Sequence, residues 1–276
     1  MADLFDRLGG VMVFTKIDLN TCYWKVRIVE GDEHKTTYVI RYGSYDFLVI
    51  LFDLTNALAT FCTLMNQVFR EYIDKFMVVY LDDIVVYSHT LEEHLEHLRK
   101  VLDRLREHEL YAKLSKCSFA QKKIYFLGHV IEEGRIKMDQ QKIQAIIDCP
   151  PPKDIHSLRA FLGLCNFYQR FVKNYYLIAM SLTKLLKKVT PWYWGPRRAE
   201  AFNTLKAAMS SSPVFALPNL AKPFEVQIDA FDYALGGVLL QEAHPVAYES
   251  WKLKGAEQCY AAHKKELLAV VHCLCL

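Results

Sequence analysis

The sequence lacks both the long apolar stretches of membrane proteins and the paired cysteines of metal-binding or disulfide-rich domains. No apolar run approaches the ~18 residues of a membrane span, and no basic N-terminal region precedes a long apolar core, so neither a membrane span nor a signal peptide is predicted. None of the eight cysteines forms a CxxC pair or has zinc-finger spacing, which favours free thiols in a reducing compartment. These absences predict a soluble intracellular protein of the cytoplasm or nucleus.

The sequence also has little excess charge of either sign. Its 34 basic and 31 acidic residues give a net charge of +3, so any phosphate-binding surface must come from local clusters of cations. Hydrophobic residues make up 52% of the chain and aromatic residues 13%, which is typical of a folded protein. A chain of 276 residues has room for one large domain or two ordinary ones, each with a core.

Two adjacent carboxylates, Asp82 and Asp83, interrupt a β-rich segment over residues 76–87. The β-branched and aromatic runs on either side predict the two strands of a hairpin, with the carboxylates at its turn. Because unpaired carboxylates are costly to bury, they should reach solvent or hold a cation, and their oxygen atoms suit Mg²⁺. An ordinary Asp-Asp turn is the alternative that these residues alone leave open.

The run from Tyr80 to Asp83, followed by Ile-Val-Val-Tyr-Ser, resembles the polymerase signature of reverse transcriptases from Ty3/gypsy-type long-terminal-repeat retrotransposons. The resemblance extends along nearly the whole chain. It implies RNA-directed DNA synthesis, in which a primer 3′-hydroxyl attacks the α-phosphate of a dNTP on an RNA or DNA template. It also implies two Mg²⁺ ions as cofactors, with Mn²⁺ as a substitute, and a substrate-side role for Tyr80.

The segment from Phe14 to Tyr23 resembles the family motif F-S-K-I-D-L-x-x-G-Y, with Cys22 in place of the glycine. By position, the resemblance makes Asp18 the third metal-binding carboxylate and Tyr23 the aromatic residue under the sugar of the incoming nucleotide. Two metal ions about 4 Å apart require carboxylates that converge from separate strands, which agrees with this assignment. The alternatives are a solvent-exposed carboxylate at a strand end for Asp18 and a core aromatic for Tyr23.

Residues 35–47 mix cations with aromatic side chains, including Lys35 and Arg41. This combination fits contact with a template strand through phosphate pairing and base stacking. An amphipathic hairpin that turns at Gly43 is an equally good interpretation of the residues alone.

Residues 42–61 resemble the family's substrate-binding loop, within which Phe52 is retained as a candidate substrate contact. Three departures stand out, because Leu51, Asp53 and Leu58 replace a proline, a glycine and a proline of the family. An acidic side chain at Asp53 restricts the backbone and would repel a polyanionic substrate. These departures favour an alternative hypothesis, an inactive retroelement relic with weak nucleic-acid binding or none.

Apolar periodicity predicts a helix over residues 55–72 and a second, amphipathic helix after Ser88, with leucines from Leu91 to Leu105 on its apolar face. His94 and His97 are expected on a solvated face, with a shared metal as the alternative. A short helix is predicted over residues 139–148, and Asp154 or Ser157 is expected to cap the next one.

Residues 162–172 resemble the family's thumb helix, F-L-G-L-x-x-Y-Y-R-R-F-I. Gln169 replaces one of its two arginines, so the resemblance assigns the contact with a substrate phosphate to Arg170 alone. Residues 113–131 resemble the hairpin that holds the primer end in this family.

Two alternating segments, residues 224–229 and 236–241, predict strands, and residues 263–271 predict a helix. They resemble the start of a ribonuclease H domain, which makes Asp229 and Glu266 its first two metal ligands. A solvent-facing helix residue is the alternative for Glu266. Such a site needs about four carboxylates for two metals, and the sequence stops at Leu276 before the last two, so no cleavage of RNA–DNA hybrids is expected.

The resemblance as a whole implies an α/β (α+β) fold. Its expected parts are a reverse-transcriptase palm with partial fingers over residues 1–134, a helical thumb over 135–190, a connector over 191–220, and an incomplete ribonuclease H-like α/β domain over 221–276. Beside the polymerase and the relic, a host-adopted interaction module is a third hypothesis, and no residue in the sequence supports it directly.

Overall fold

The computed structural model describes residues 5, 8–20, 26–51, 54–132, 134–211 and 215–274. The chain divides into two compact units, Met1–Ile124 and Tyr125–Leu276. Within the described part of the chain, no helix has both the length and the apolar character needed to cross a membrane.

Strands and helices are mixed along the chain. In chain order, the strands are Val13–Asn20 (β1), Tyr38–Ile40 (β2), Gly43–Tyr45 (β3), Met77–Tyr80 (β4), Asp83–Ser88 (β5), Tyr111–Ala112 (β6), Ser118–Gln121 (β7), Lys123–Phe126 (β8), His129–Glu132 (β9), Arg135–Met138 (β10), Phe215–Ala216 (β11), Glu225–Ala230 (β12), Ala234–Gln241 (β13) and His244–Lys252 (β14). The α-helices are Ala57–Val68 (α1), Leu91–Glu107 (α2), Gln140–Asp148 (α3), Ile155–Phe167 (α4), Tyr175–Thr183 (α5), Pro196–Ser210 (α6), Gly255–Gln258 (α7) and Ala262–Leu274 (α8).

The first unit is built on an antiparallel sheet in the order β4-β5-β1-β6, with β7 also paired to β1. Successive side chains of a strand point to opposite faces. One face of β1 and β5 therefore carries Ile17 and Ile84, which join Phe61 of α1 and Leu105 of α2 in one core cluster. The opposite face of the same two strands carries Lys16, Asp18 and Asp83 at one end and the buried Phe14 and Val85 further along.

The hairpin predicted over residues 76–87 is confirmed. β4 and β5 pair antiparallel, with Tyr80 opposite Asp83, so that only Leu81 and Asp82 form the turn. The predicted helix over residues 55–72 is confirmed in a shorter form as α1, whose buried face includes Phe61 and Met65 as expected.

The predicted packing face of α2 is wrong in part. His94, Val101 and Leu105 are its buried residues, whereas Leu91, Leu95 and Leu102 are exposed. His94, expected in solvent, is fully buried.

Two hydroxyl groups explain why a histidine is tolerated in that core. The imidazole of His94 lies 2.7 Å from Oγ1 of Thr15 and 3.1 Å from Oγ of Ser88, so both ring nitrogens have hydrogen-bond partners. Burial lowers the pKa of His94, which favours the neutral ring.

The predicted short helix and the predicted cap are confirmed in the second unit. Asp139 caps α3 by accepting a hydrogen bond from the backbone of Gln141. Asp154 and Ser157 form a reciprocal capping box at α4, so both candidates for the cap take part. A four-stranded sheet in the order β11-β10-β9-β8 accompanies these helices.

The chain ends in an antiparallel three-stranded sheet, β12-β13-β14, against which α8 packs on β12 and β13. The two strands and the helix predicted in this region are confirmed. The third strand, β14, was not predicted from the sequence.

Candidate functional site

The turn between β4 and β5 has a backbone conformation that few residues adopt, at Leu81, directly before the two carboxylates Asp82 and Asp83. Leu81 has φ 54°, the sign that the first turn residue takes in a type II′ hairpin. Left-handed backbone costs a residue with a side chain about 1 kcal/mol, so neighbouring contacts must hold it. One of them is the hydrogen bond from the backbone N–H of Leu19 to the carbonyl oxygen of Asp82, 2.9 Å long.

Asp18 lies directly opposite Asp83 in the antiparallel register of β1 and β5. Opposed residues of an antiparallel pair present their side chains on the same face, with Cβ atoms about 5 Å apart. The fold therefore places the first residue of β5 beside a carboxylate that precedes it by 65 positions in the sequence. Like charges in this position repel each other unless a cation balances them.

Two lysines supply that balance. Nζ of Lys16 lies 2.9 Å from Oδ2 of Asp83, and the two side chains are 24% and 25% exposed. Nζ of Lys116 lies 3.3 Å from Oδ2 of Asp18, with Lys116 57% exposed and Asp18 17% exposed. Sequence reasoning missed both lysines. Lys16 could have been found, because a residue two positions before Asp18 shares its face of the strand.

The pair of carboxylates fits the oxygen chemistry of Mg²⁺, which takes one or two protein carboxylates and completes its shell with water and phosphate. Among the described residues, no group of three or more His, Cys, Asp or Glu side chains is close enough to hold a metal ion. The structure thus brings Asp18 and Asp83 together. Asp82 lies at the adjoining turn, with its Oδ1 shielded from solvent.

The residues predicted to contact nucleotide or template occupy different places. Tyr23 and Phe52 lie outside the described residues. Tyr80 is half-buried at the end of β4, next to the carboxylates. Lys35 is exposed and lies 2.7 Å from Asp32, whose pKa is held below its ordinary value by that hydrogen bond.

Arg41 lies in the exposed turn of the β2–β3 hairpin, and every residue of both strands is exposed. Aromatic rings cluster on this hairpin: Tyr38 lies 5.9 Å from Tyr45 and 4.7 Å from Phe47, measured between ring centroids. Cations and accessible aromatic rings on one surface are the combination that binds single strands of nucleic acid.

Arg170 belongs to the second unit, where it is half-buried in the short 3₁₀ segment Gln169–Phe171. Its guanidinium carbon lies 6.0 Å from the centre of the Phe171 ring. Its charge lowers the pKa of Glu249, but burial has the larger, opposite effect and raises that pKa overall.

Asp229 and Glu266 are both exposed, on β12 and on α8 respectively. Their elements pack on each other, as a shared site would require. An ion pair also joins this helix to the β12–β13 connection: Nζ of the buried Lys265 lies 3.0 Å from Oδ1 of Asp232.

Comparison with known proteins identifies two domain families in the chain. Residues 2–131 match the family described as reverse transcriptase (RNA-dependent DNA polymerase). Residues 194–275 match the RNase H-like domain found in reverse transcriptase.

Curated relatives match nearly the whole chain. The retrovirus-related Pol polyprotein from transposon 297 of Drosophila melanogaster is 38% identical over 98% of this chain and 26% of its own length. The transposon Tf2-3 polyprotein of Schizosaccharomyces pombe is 32% identical over 98% of this chain and 21% of its own length. The chain therefore spans about a quarter of the length of these relatives.

Solved structures show the same fold. The foamy viral protease-reverse transcriptase in complex with an RNA/DNA hybrid superposes with a TM-score of 0.86 at 21% identity, over 98% of this chain and 38% of that one. A second structure of the foamy viral protein, in complex with double-stranded DNA, gives a TM-score of 0.84. The predicted reverse-transcriptase fold of mixed α/β type is confirmed. The chain belongs to the reverse transcriptase and ribonuclease H region of Pol polyproteins from Ty3/gypsy-type retrotransposons.

Proposed function

We propose that this chain is an RNA-directed DNA polymerase that transfers a nucleotide from a dNTP to the 3′-hydroxyl of a primer. The observation that carries the proposal is the register of Asp18 opposite Asp83, beside a strained turn that holds Asp82. Two Mg²⁺ ions, or Mn²⁺ in their place, would neutralise charge on the attacking and leaving oxygens when bound. Asp18, Asp82 and Asp83 are the residues that would hold them.

The remaining residues of the polymerase would position substrates. The exposed β2–β3 hairpin with Arg41, together with Lys35 just before it, would contact template phosphates and bases, since these cations and rings lie outside the core. Tyr23, Phe52 and Tyr80 would contact the incoming nucleotide and the primer end. The foamy viral relatives hold an RNA/DNA hybrid or double-stranded DNA, which supports nucleic acid as the partner.

Arg170 would contact a primer or template phosphate. It lies in the proposed thumb, residues 135–190, which follows a proposed palm with partial fingers over residues 1–134. Residues 191–220 would be the connector. In the ribonuclease H-like region over residues 221–276, Asp229 and Glu266 would be metal ligands, since β12 and α8 pack on each other.

A second candidate, an inactive relic that at most binds nucleic acid weakly, rests on the substrate-binding loop. Asp53 there replaces a glycine of the family motif, and Leu51 and Leu58 replace prolines. An acidic residue at that position would repel the triphosphate of a dNTP.

Primer extension on poly(rA)/oligo(dT) with Mg²⁺ separates the two candidates. We expect incorporation by the full chain, and a fall of at least about 100-fold in the Asp82→Asn, Asp83→Asn double variant, because charge neutralisation supplies much of such catalysis. Asp103→Asn is the matched control, since it removes a carboxylate from the exposed surface of α2 in the same unit and should leave incorporation unchanged.

Two outcomes would contradict the polymerase. Incorporation that persists in the double variant would show that Asp82 and Asp83 are not needed for the reaction. No incorporation by a folded wild-type chain would favour the relic, and recovery of activity by Asp53→Gly would then locate the defect in the loop.

A further inference from the structure

Lys16 shares one face of the sheet with Asp18 and Asp83, and this set of three side chains is called the carboxylate face. Lys16 precedes Asp18 by two positions on β1, so both side chains stand on the same side of the sheet. Its ammonium reaches diagonally to the neighbouring strand and contacts Asp83 at 2.9 Å. Lys16 therefore forms an ion pair with one of the two carboxylates that lie together on this face.

We propose that Lys16 is a built-in counter-ion, which neutralises Asp83 in the metal-free protein and is displaced when a divalent cation binds. This proposal rests on the proposed metal site of the polymerase. It assigns Lys16 a defined effect: the ammonium competes with the metal and sets its affinity.

The competition follows from the charges on the two strands. Without a cation, Asp18 and Asp83 repel each other across the register, so the metal-free fold gains from a lysine that neutralises Asp83. A divalent ion supplies the same neutralisation. With the ion bound, the ammonium becomes a nearby like charge that weakens its binding.

The side chain of Lys16 can move away from Asp83 when a metal ion binds. Lys16 is 24% exposed, so its ammonium has a path to solvent along a flexible four-carbon stem. Strand β1 need not move, because its register with β5 is fixed by backbone hydrogen bonds and by the apolar face.

Lys116 provides the internal comparison. It contacts Asp18, but at 3.3 Å and with 57% of its side chain exposed, so solvent screens its charge more strongly. The effect of Lys116 on metal binding should therefore be smaller than that of Lys16.

Metal affinity tests the proposal without an activity assay. Mn²⁺ binding to the full chain would be followed through the electron paramagnetic resonance signal of the free ion. We expect Lys16→Met to bind Mn²⁺ tighter on the order of fivefold, the equivalent of one partly exposed ion pair. Lys16→Arg should stay close to wild type, and Lys116→Met should change the affinity by less than about twofold.

Thermal unfolding with and without Mg²⁺ separates competition from a merely structural role. Without metal, Lys16→Met should melt below wild type because the opposed carboxylates lose their counter-ion. With saturating Mg²⁺, this difference should close.

Each contrary outcome is distinct. An unchanged Mn²⁺ affinity in Lys16→Met, or a melting difference of equal size with and without Mg²⁺, would overturn the counter-ion and leave the metal site standing. Failure of the wild-type chain and all variants to bind Mn²⁺ would overturn the metal site and the counter-ion with it.

Discussion

Acidification should destabilise the second unit through a single buried imidazole. His129 begins β9 and is 3% exposed, with the rings of Phe167 and Phe171 at 5.4 and 5.5 Å between centroids. Its Nδ1 lies 2.7 Å from the carbonyl oxygen of Leu127 and can donate a hydrogen bond to it. The neutral ring is stable in these apolar surroundings, whereas the charged ring is destabilised there because burial removes it from water.

Burial lowers the pKa of His129 from 6.5 to about 4 in the folded state, and the charges of Arg170 and Lys142 act in the same direction. The hydrogen bond to Leu127 and the charge of Asp139 oppose this shift. The unfolded chain therefore takes up a proton first as the pH falls. The stability from the neutral ring is complete above pH 6.5 and is lost as the pH falls towards 4.

The size of this loss follows from the pKa difference. Each pH unit of difference between folded and unfolded pKa is worth ~1.4 kcal/mol, so a fall from 6.5 to about 4 corresponds to about 3 kcal/mol of unfolding free energy. For a domain of ordinary stability, this is a large part of the total.

Urea unfolding between pH 7 and pH 4 measures the loss, followed by tryptophan fluorescence. Trp192, Trp194 and Trp251 all report on the second unit. His129→Asn keeps a donor for the carbonyl of Leu127 and cannot titrate, so its stability should fall with pH by about 3 kcal/mol less than that of wild type. His263→Asn, on the exposed surface of α8 in the same unit, is the matched control and should follow wild type.

If the unfolding free energies of wild type and His129→Asn fall equally between pH 7 and pH 4, the reasoning is refuted, because the buried imidazole then contributes nothing to the pH dependence. A variant that is unfolded at pH 7 would show instead that the ring is needed for packing. In that case, direct NMR titration of His129 in wild type would decide whether its pKa lies near 4 or near 6.5.

Two further predictions concern local structure in the same unit. Gly128→Ala should cost about 1–2 kcal/mol of unfolding free energy, because φ is +70° and a Cβ would lie 3.2 Å from Cε1 of the Phe167 ring, closer than ordinary van der Waals contact. Gly134→Ala, at φ +69° in open space, should cost less in the same urea assay, and equal costs would show that this contact plays no part. Asp154→Ala should lower the free energy of unfolding by about 1 kcal/mol, because α4 loses its N-terminal cap. Asp154→Asn should cost less, because it keeps an acceptor for the Ser157 N–H. An unchanged urea midpoint in Asp154→Ala would exclude the cap as a source of stability.

Local patterns predicted the elements around the site well. The β4–β5 hairpin follows from two β-branched runs joined by a polar pair, although the turn itself is Leu81–Asp82 and Asp83 already belongs to β5. The capping box at Asp154 follows in the same way, because a cap depends on residues within one turn of a helix. Such features require no knowledge of the rest of the chain.

The packing face of α2 shows where local patterns fail. Its leucines recur at steps of three and four, but so do His94, Val101 and Leu105, and periodicity alone cannot choose between adjacent stripes. The choice is made by Thr15, which bonds His94 from a strand 79 positions earlier in the sequence. A buried histidine becomes favourable only when that distant hydroxyl is in place.

The same distinction separates the two lysines of the carboxylate face. Lys16 is tied to Asp18 by the alternation of one strand, so its presence there is a local consequence of sequence. Lys116 reaches Asp18 from 98 positions away, through the 3₁₀ segment Leu114–Lys116, and no pattern near either residue indicates the contact.

The meeting of Asp18 and Asp83 is itself a consequence of the apolar face. Ile17 lies opposite Ile84, and both are fully buried in the core beneath the sheet. A slip of one residue between β1 and β5 would move one of these isoleucines out of this core and one carboxylate into it. The hydrophobic residues thus select the register, and that register places the two carboxylates side by side on the outer face. A polar substitution at Ile17 or Ile84 should therefore disturb the carboxylate pair indirectly, because it removes part of the apolar face that selects this register.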